Sequence, residues 1–531
     1  MQIRMSSRLR RSPPVVVIGA GAGGLAASIA LGARGVETLV LERAAVPGGK
    51  LREVAIGAAR LDAGPTVFTM RWVFDELFAQ AGAQLSDYLR LEPATLLARH
   101  AWGERDRLDL FADRERSADA IGAFAGAAAA RGYLAFCERA GTIYRTLETP
   151  FMRAQQPGLV GLVRGMGLSG LSGLAGISPF STLWRALGAH FPDPRLRQLF
   201  ARYATYCGSS PFRAPATLML VAHVEQDGVW SVAGGMHQVA TALARLAVER
   251  GATLRCDAHV ARLLVEGGRV RGVELADGER IEAAAVVFNG DAAALPAGLL
   301  GPASRRAAPR VPRAQRSLSA LTWNLVARAE GFALSRHTVF FGGSYAAEFD
   351  DLFRRGRLPD DPTVYVCAQD RGCAAEAVAP DGPERLLCLV NAPPGGDAAT
   401  PNLTEIERCE EKAFRMLSRC GLRLERNPDR TVRTTPTDFE RLFPATGGAL
   451  YGRASHGAMA SFRRPGSRSP MPGLYLAGGS THPGPGVPVA TLSGRLAAAS
   501  LLHDLSPTRS RARASTARSS PAATPGGTPT R

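Results

Sequence analysis

The stretch that most constrains this chain lies near its start: Val15-Val16-Val17-Ile18-Gly19-Ala20-Gly21-Ala22-Gly23-Gly24. Four consecutive β-branched residues read as a buried parallel strand. Glycines at 19, 21 and 24 complete a GxGxxG spacing. Gly19 permits a tight turn, Gly21 lets backbone approach a pyrophosphate, and Gly24 lets the next helix pack closely on the strand. Leu25 to Leu31 reads as that helix, ended by Gly35. Its N-terminus, with Ala20 and Ala22 in the turn before it, attracts phosphate charge. Glu37 to Leu41 reads as a second strand, closed by Glu42 and followed by Arg43. An acid at Glu42, twenty-three residues after Gly19, accepts hydrogen bonds from ribose hydroxyls and disfavours a 2′-phosphate. Strand, glycines, helix, strand and acid in this order predict an α/β dinucleotide-binding unit.

The next segments narrow the ligand. Pro47-Gly48-Gly49-Lys50 and Leu61-Asp62-Ala63-Gly64-Pro65-Thr66 follow the first motif. Together they resemble the FAD-binding half of the flavin amine oxidase and carotenoid desaturase superfamily. The resemblance implies that Arg43, Gly49 and Lys50 pass near FAD, and that Gly64, Pro65 and Thr66 lead toward the flavin. Read alone, Lys50 could equally be a solvated surface lysine. Farther on, Met236 to Glu249 has helical apolar spacing, and strands are expected at Thr253–Cys256, Val260–Val265, Arg269–Ala276 and Ala285–Phe288. Asp277-Gly278 makes a hairpin turn. In the superfamily this block returns to the FAD domain, with a residue in the Val260 position beside the adenine. A discontinuous Rossmann-like FAD domain is therefore expected from residues 12–70, 232–292 and 471–505. Two insertions interrupt it: a mainly helical one at 71–231 for substrate and membrane contact, and a mixed α/β one at 293–470. Residues 506–531 read as a disordered basic tail.

Late in the chain, Leu474-Tyr475-Leu476-Ala477 leads into Gly478-Gly479-Ser480-Thr481-His482-Pro483-Gly484-Pro485-Gly486-Val487-Pro488. This reads as a strand, a stiff loop and a helix opening near Pro488, which suits a first helical position. Glycines at 484 and 486 let backbone reach a flat ligand, and a helix N-terminus stabilises negative charge. The loop is expected to hold the flavin ring, with Gly479, Gly486 and Val487 as contacts. Residues 473–494 resemble the C-terminal signature of bacterial-type phytoene desaturases, with Pro485 where a smaller residue is commoner. Gly448 to Arg468, "GALYGRASHGAMASFRRPGSR", is similar to 1-hydroxycarotenoid 3,4-desaturases.

Composition removes other classes. Formal net charge is +17, but nine arginines lie in the acid-free ends Met1–Pro14 and Ser506–Arg531, leaving about +8 for the rest. Lys50 and Lys412 are the only lysines. No basic-aromatic stripe accompanies the charge, so nucleic acid is not expected; an anionic membrane surface suits it better. The eight cysteines form no CxxC and no metal-type spacing, and read as reduced buried thiols. No metal is expected. No run is long and apolar enough to span a bilayer. Gly158 to Ile177, with seven glycines and one charge, is either a buried core segment or a monotopic membrane element.

The resemblance implies desaturation of an acyclic carotenoid: a C3–C4 double bond introduced into 1-hydroxycarotenoids, hydride passing to flavin N5 and a proton leaving the neighbouring carbon. A quinone or oxygen would accept the electrons. The protein would be cytoplasmic, bound peripherally to the inner or a photosynthetic membrane. Phytoene or another acyclic carotenoid as substrate, and a redox-inactive prenyl-lipid carrier on the same fold, remain alternatives. His482 is a weak candidate for the proton acceptor. His237, His259 and His337 read as packing or surface residues.

Overall fold

The computed structural model describes residues 13–156, 158, 161, 180–374, 379–398 and 401–506. Five short strands form the central parallel sheet: β1 (Val15–Ile18), β2 (Thr38–Leu41), β3 (Ala252–Arg255), β4 (Ala285–Phe288) and β5 (Leu474–Leu476), in the order β3-β2-β1-β4-β5. Each is three or four residues long. Such strands hold only because both faces are covered, which is why they read as continuous apolar runs.

Alternating side chains go to different layers. Val15, Val17, Val40, Ala285 and Val287 pack under three helices: α1 (Ala22–Gly32), α2 (His237–Glu249) and α3 (Val487–Leu505). Val16, Leu41, Val286, Phe288, Leu474 and Leu476 face the other way. They are covered by an antiparallel sheet of Val260–Glu266, Arg269–Leu275 and Arg280–Glu282, turned at Asp277-Gly278. Sequence positions far apart therefore build one three-layer unit.

The helix after β1 begins three residues before the expected start, because Gly23 and Gly24 are helical. Both are needed bare. A Cβ on Gly24 would lie 2.1 Å from the Gly19 carbonyl oxygen, and one on Gly23 would lie 2.9 Å from both the Ala490 oxygen and the Gly478 nitrogen. A Cβ on Gly494 in α3 would lie 2.0 Å from the Gly23 oxygen. α1 and α3 thus meet backbone to backbone.

The two insertions do not stay separate. A seven-stranded mixed sheet takes Leu96–Ala101 and Arg107–Phe111 from the first, and His337–Phe340, Val364–Ala368, Glu384–Ala392, Ser319–Ala327 and Thr431–Thr434 from the second. Leu96–Ala101 joins by pairing parallel to His337–Phe340. Helices Arg114–Ala125, Ala127–Leu147 and Pro194–Ala201 cover it with an aromatic-rich core that includes Phe136, Phe191 and Phe200. The glycine-leucine stretch, except Gly158 and Gly161, and the tail after Ser506 lie outside the described residues.

Candidate functional site

The sheet's C-terminal edge, where parallel α/β folds place ligands, gathers the predicted residues. Gly19 has φ +96°, and its N–H donates to the Leu41 carbonyl at 2.8 Å. Glu42 is buried at the end of β2. Its Oε2 accepts from the Ala20 N–H at 2.8 Å and its Oε1 from the Ala44 N–H at 2.9 Å. The carboxylate is thereby fixed against the glycine turn. Ala258 N–H donates to the Glu42 carbonyl at 2.8 Å, which brings buried Val260 alongside the same turn. Gly48 N–H donates to the Ala20 carbonyl at 2.9 Å, and a Cβ on Gly49 would approach Gly21 Cα to 3.4 Å. Exposed Arg43 turns away and donates to the carbonyls of Arg441 and Leu442.

Lys50 is not a solvated surface lysine. Its Nζ donates to the Leu450 carbonyl at 2.5 Å and stands 5.2 Å from the Phe443 ring centre. Burial pushes its pKa down, while the nearby Asp291 carboxylate opposes that shift. Gly64 permits this packing, since a Cβ there would lie 1.9 Å from the Lys50 oxygen. Asp62 caps α2, accepting from the Met236 and His237 N–H groups at 2.7 and 3.0 Å. Pro65 carries the chain on to Thr66, whose Oγ1 lies 2.7 Å from the Tyr365 hydroxyl.

The late loop closes over this edge. Ala477 N–H donates to the Phe288 carbonyl at 2.9 Å, and Thr481 Oγ1 bonds both the Gly478 carbonyl and Ser493 Oγ at 2.6 Å. Gly486, at φ +112°, is the N-cap of α3, with Val487 and Pro488 in its first turn. His482 is 1% exposed and edge-on to Phe151. Its Nε2 lies 3.1 Å from the Ala154 carbonyl, so Nε2 carries the proton. Nδ1 is then a buried acceptor with no partner among the described residues. Burial pulls the His482 pKa down to about 4, so the ring is neutral at ordinary pH. His237 bonds the Leu51 carbonyl through Nδ1 and His337 bonds Tyr365, as packing histidines do, and His259 is exposed.

Several site residues carried no recognised sequence signal. Asn289 follows β4, and its Nδ2 donates to the Gly19 carbonyl at 3.2 Å. A Cβ on Gly21, Gly24 or Gly478 would lie about 3 Å from its side chain. Arg464 is 2% exposed. It has no carboxylate within ion-pair distance among the described residues, and it donates to the carbonyls of Tyr451, Gly479 and Arg453 at 2.9, 3.2 and 2.6 Å. Burial pulls its pKa down to about 10. Asp291, Arg464, Gly452 and Ser480 line one small cavity, and Asp291 Oδ2 is buried there without a partner. The placement of Asn289 just beyond a parallel strand beside β1 was the available clue. Arg464 sits in "SFRRPGSR", where nothing distinguishes it from its neighbours.

These features fit FAD. α1 and α3 both start at a glycine with no side-chain cap, as Ala127–Leu147 does away from this edge, whereas the helices opening at Arg114, Pro194, Leu403 and Pro436 are capped by Asp113, Asp193, Asn402 and Thr435. Two helix ends with unsatisfied N–H groups therefore point at one region that also holds Lys50 and Arg464, an arrangement suited to an anionic ligand. The Gly19–Gly24 turn would hold the pyrophosphate, Glu42 the ribose, and Gly479, Gly486, Val487 and Lys50 the ring end.

Two outcomes follow from this geometry. Glu42→Ala should weaken FAD retention by about 1.5–3 kcal/mol, through loss of a charge-assisted bond; equilibrium titration of flavin into the stripped protein measures it, and unchanged affinity would remove the assignment. His482 has a folded pKa below its unfolded value, so the unfolded chain takes up the proton first. The stability it contributes is present above pH 6.5 and is lost as pH falls toward 4. His482→Gln should flatten the acid side of a denaturation-against-pH profile by up to about 1.4 kcal/mol per pH unit.

Comparison with known proteins agrees with the geometry. The family model described as flavin containing amine oxidoreductase matches residues 22–502. A hydroxyneurosporene desaturase of Rubrivivax gelatinosus is 54% identical over 499 residues, covering 94% of this chain and 95% of the relative. One from Cereibacter sphaeroides is 46% identical, covering 93% and 98%. Among solved structures, an oxidoreductase from Methanosarcina mazei superposes with TM-score 0.58 at 15% identity, covering 92% of this chain and all of that one, which is a likeness of fold. The chain belongs to the flavin-containing amine oxidoreductase family.

Proposed function

We propose that this protein is a carotenoid desaturase that introduces the C3–C4 double bond into acyclic 1-hydroxycarotenoids. One observation carries the reading: a glycine turn with Glu42, Asn289 and two uncapped helix ends, an arrangement suited to FAD, belongs to a chain 54% identical, nearly end to end, to a hydroxyneurosporene desaturase. A redox-inactive prenyl-lipid carrier would not need the uncapped α3 terminus or the buried Arg464 beside it.

When bound, the flavin supplies the hydride acceptor, and a quinone or oxygen takes the electrons onward. The chain's own residues bind, orient and exclude water. The C4 hydrogens of the substrate are allylic to the polyene, so charge left by hydride departure is delocalised, and positioning supplies most of the catalysis. C3 then releases a proton. His482, neutral and with Nδ1 unpartnered, is available to take it.

The substrate is a bilayer-dissolved hydrocarbon, and no helix among the described residues is long and apolar enough to cross a membrane. Phe180 is 90% exposed at the edge of the glycine-leucine stretch, which supports attachment to one leaflet, with arginines attracted to anionic lipid.

The test supplies FAD-loaded protein and a quinone with either phytoene or 1-hydroxyneurosporene. Chromatography should show one new double bond in the hydroxylated substrate and phytoene unchanged. Multistep conversion of phytoene would replace this reading with that of a phytoene desaturase.

A further inference from the structure

Resting on the reading above, the substrate dissolves in a bilayer, so the chain needs a surface that meets lipid and leads to the flavin loop. The distribution of acidic residues points to one. No aspartate or glutamate occurs in residues 149–192, 194–224 or 441–503, although arginines recur in all three. Asp193, between the first two stretches, is held by Arg195 at 2.8 Å. Acid-free stretches of this length attract anions wherever they share a surface.

The fold brings the three together. Leu183 N–H donates to the Ala214 carbonyl at 2.8 Å, and Trp184 N–H to the Pro211 carbonyl at 3.0 Å. The same loop meets the third stretch. Ser210 N–H donates to His456 Nε2, and Gly457 N–H to the Arg213 carbonyl, each at 2.9 Å. The side chains left outside at this junction are apolar and basic. Phe180 is 90% exposed and Met459 37%. Trp184 and Phe212 are half-buried, their ring centres 4.7 Å apart. Arg185, Arg213 and Arg463 are exposed, with no carboxylate in ion-pair distance among the described residues. The adjoining turn, reached through Phe353 at 4.7 Å from the His456 ring, carries Asp350 and Asp351, but Arg354, Arg355 and Arg357 bind both.

The junction also leads inward. Phe462, three residues beyond Met459, lies with its ring centre 5.5 Å from that of Phe151. Phe151 lies 4.8 Å from the ring of His482 in the flavin loop. Gln156 fixes the two segments to each other, its Nε2 donating to the carbonyls of Phe462 and Arg464 at 3.1 and 2.6 Å. An aromatic file thus connects the basic, apolar surface to the flavin loop.

We propose that this junction is the face that docks on an anionic lipid surface, and that the hydrocarbon substrate enters from the leaflet beside Phe462 and Phe151. An acidic protein would answer the arginines but not the protruding Phe180 among them. A layer of anionic headgroups over hydrocarbon answers both, the arginines binding headgroups while Phe180 and Met459 enter the acyl boundary.

The test uses FAD-loaded protein floated with vesicles of phosphatidylglycerol or of phosphatidylcholine. Wild type should bind phosphatidylglycerol far better, and less so as salt rises. Arg185→Gln combined with Arg213→Gln should lower the partition coefficient roughly 30-fold, and Phe180→Ser roughly 10-fold. Arg408→Gln combined with Arg415→Gln, exposed on the helix Leu403–Arg419, should change nothing. The face variants should convert 1-hydroxyneurosporene slowly from vesicles and at the wild-type rate from detergent, with flavin retained, which separates docking from misfolding. Binding that ignores lipid charge, or equal loss in the Arg408/Arg415 pair, would overturn the assignment. So would capture of poly-glutamate by protein that binds neither vesicle, which would give the face to an acidic protein. Failure of the underlying functional reading is distinct: wild type would then float with phosphatidylglycerol yet leave 1-hydroxyneurosporene unconverted in detergent.

Discussion

The structure depends on one contact, the meeting of α1 and α3 at Gly23 and Gly494. Helices ordinarily pack 8–10 Å apart because side chains separate them. Here a single methyl on Gly494 would lie 2.0 Å from the Gly23 oxygen, so the backbones themselves touch. That closeness lets the N-terminus of α3, with its leading loop, stand beside the N-terminus of α1. The pyrophosphate end and the ring end of one flavin would thereby be served by segments more than 450 residues apart in sequence. Asn289 bridges the same junction from β4, its side chain filling the space that the glycines leave.

Electrostatics follow from that packing. Two uncapped helix N-termini, Lys50 and Arg464 concentrate positive potential in one place, offset by Asp291 and Glu42. Among the described residues Arg464 is held only by carbonyl oxygens, so its charge remains available to a ligand. A buried cation without a carboxylate partner is costly in the free protein, and an anionic cofactor removes that cost. The insertions supply the opposite environment, an aromatic and aliphatic interior around Phe136, Phe191 and Phe200, which suits the hydrocarbon substrate proposed above.

Much of the FAD half was legible in the sequence because its constraints are local. Val15–Ile18 and Ala285–Phe288 are continuous apolar runs and appear as strands with the same bounds. Gly19, Gly21 and Gly24 answer to a turn geometry that few other residues satisfy, and Glu42 to a fixed offset. What escaped was whatever depends on distant packing. The role of Gly23 is set by Ala490 and Gly478, that of Arg464 by three carbonyls from separate loops, and that of Asn289 by the glycine turn. Lys50 was ambiguous for the same reason, since its acceptor is the carbonyl of Leu450. The first insertion read as mainly helical, yet two of its strands complete a sheet whose other members come from the second insertion. Strand pairing of that kind has no signature in either segment alone.

The central claim is that backbone contact between α1 and α3 assembles the flavin site. Gly494→Ala tests it most directly, with denaturation midpoint and flavin occupancy read on the same preparation. Overpacking at this contact is expected to cost about 1–3 kcal/mol and, by pushing α3 away from the glycine turn, to lower flavin occupancy as well. A variant that kept both the wild-type midpoint and a full complement of flavin would contradict the account.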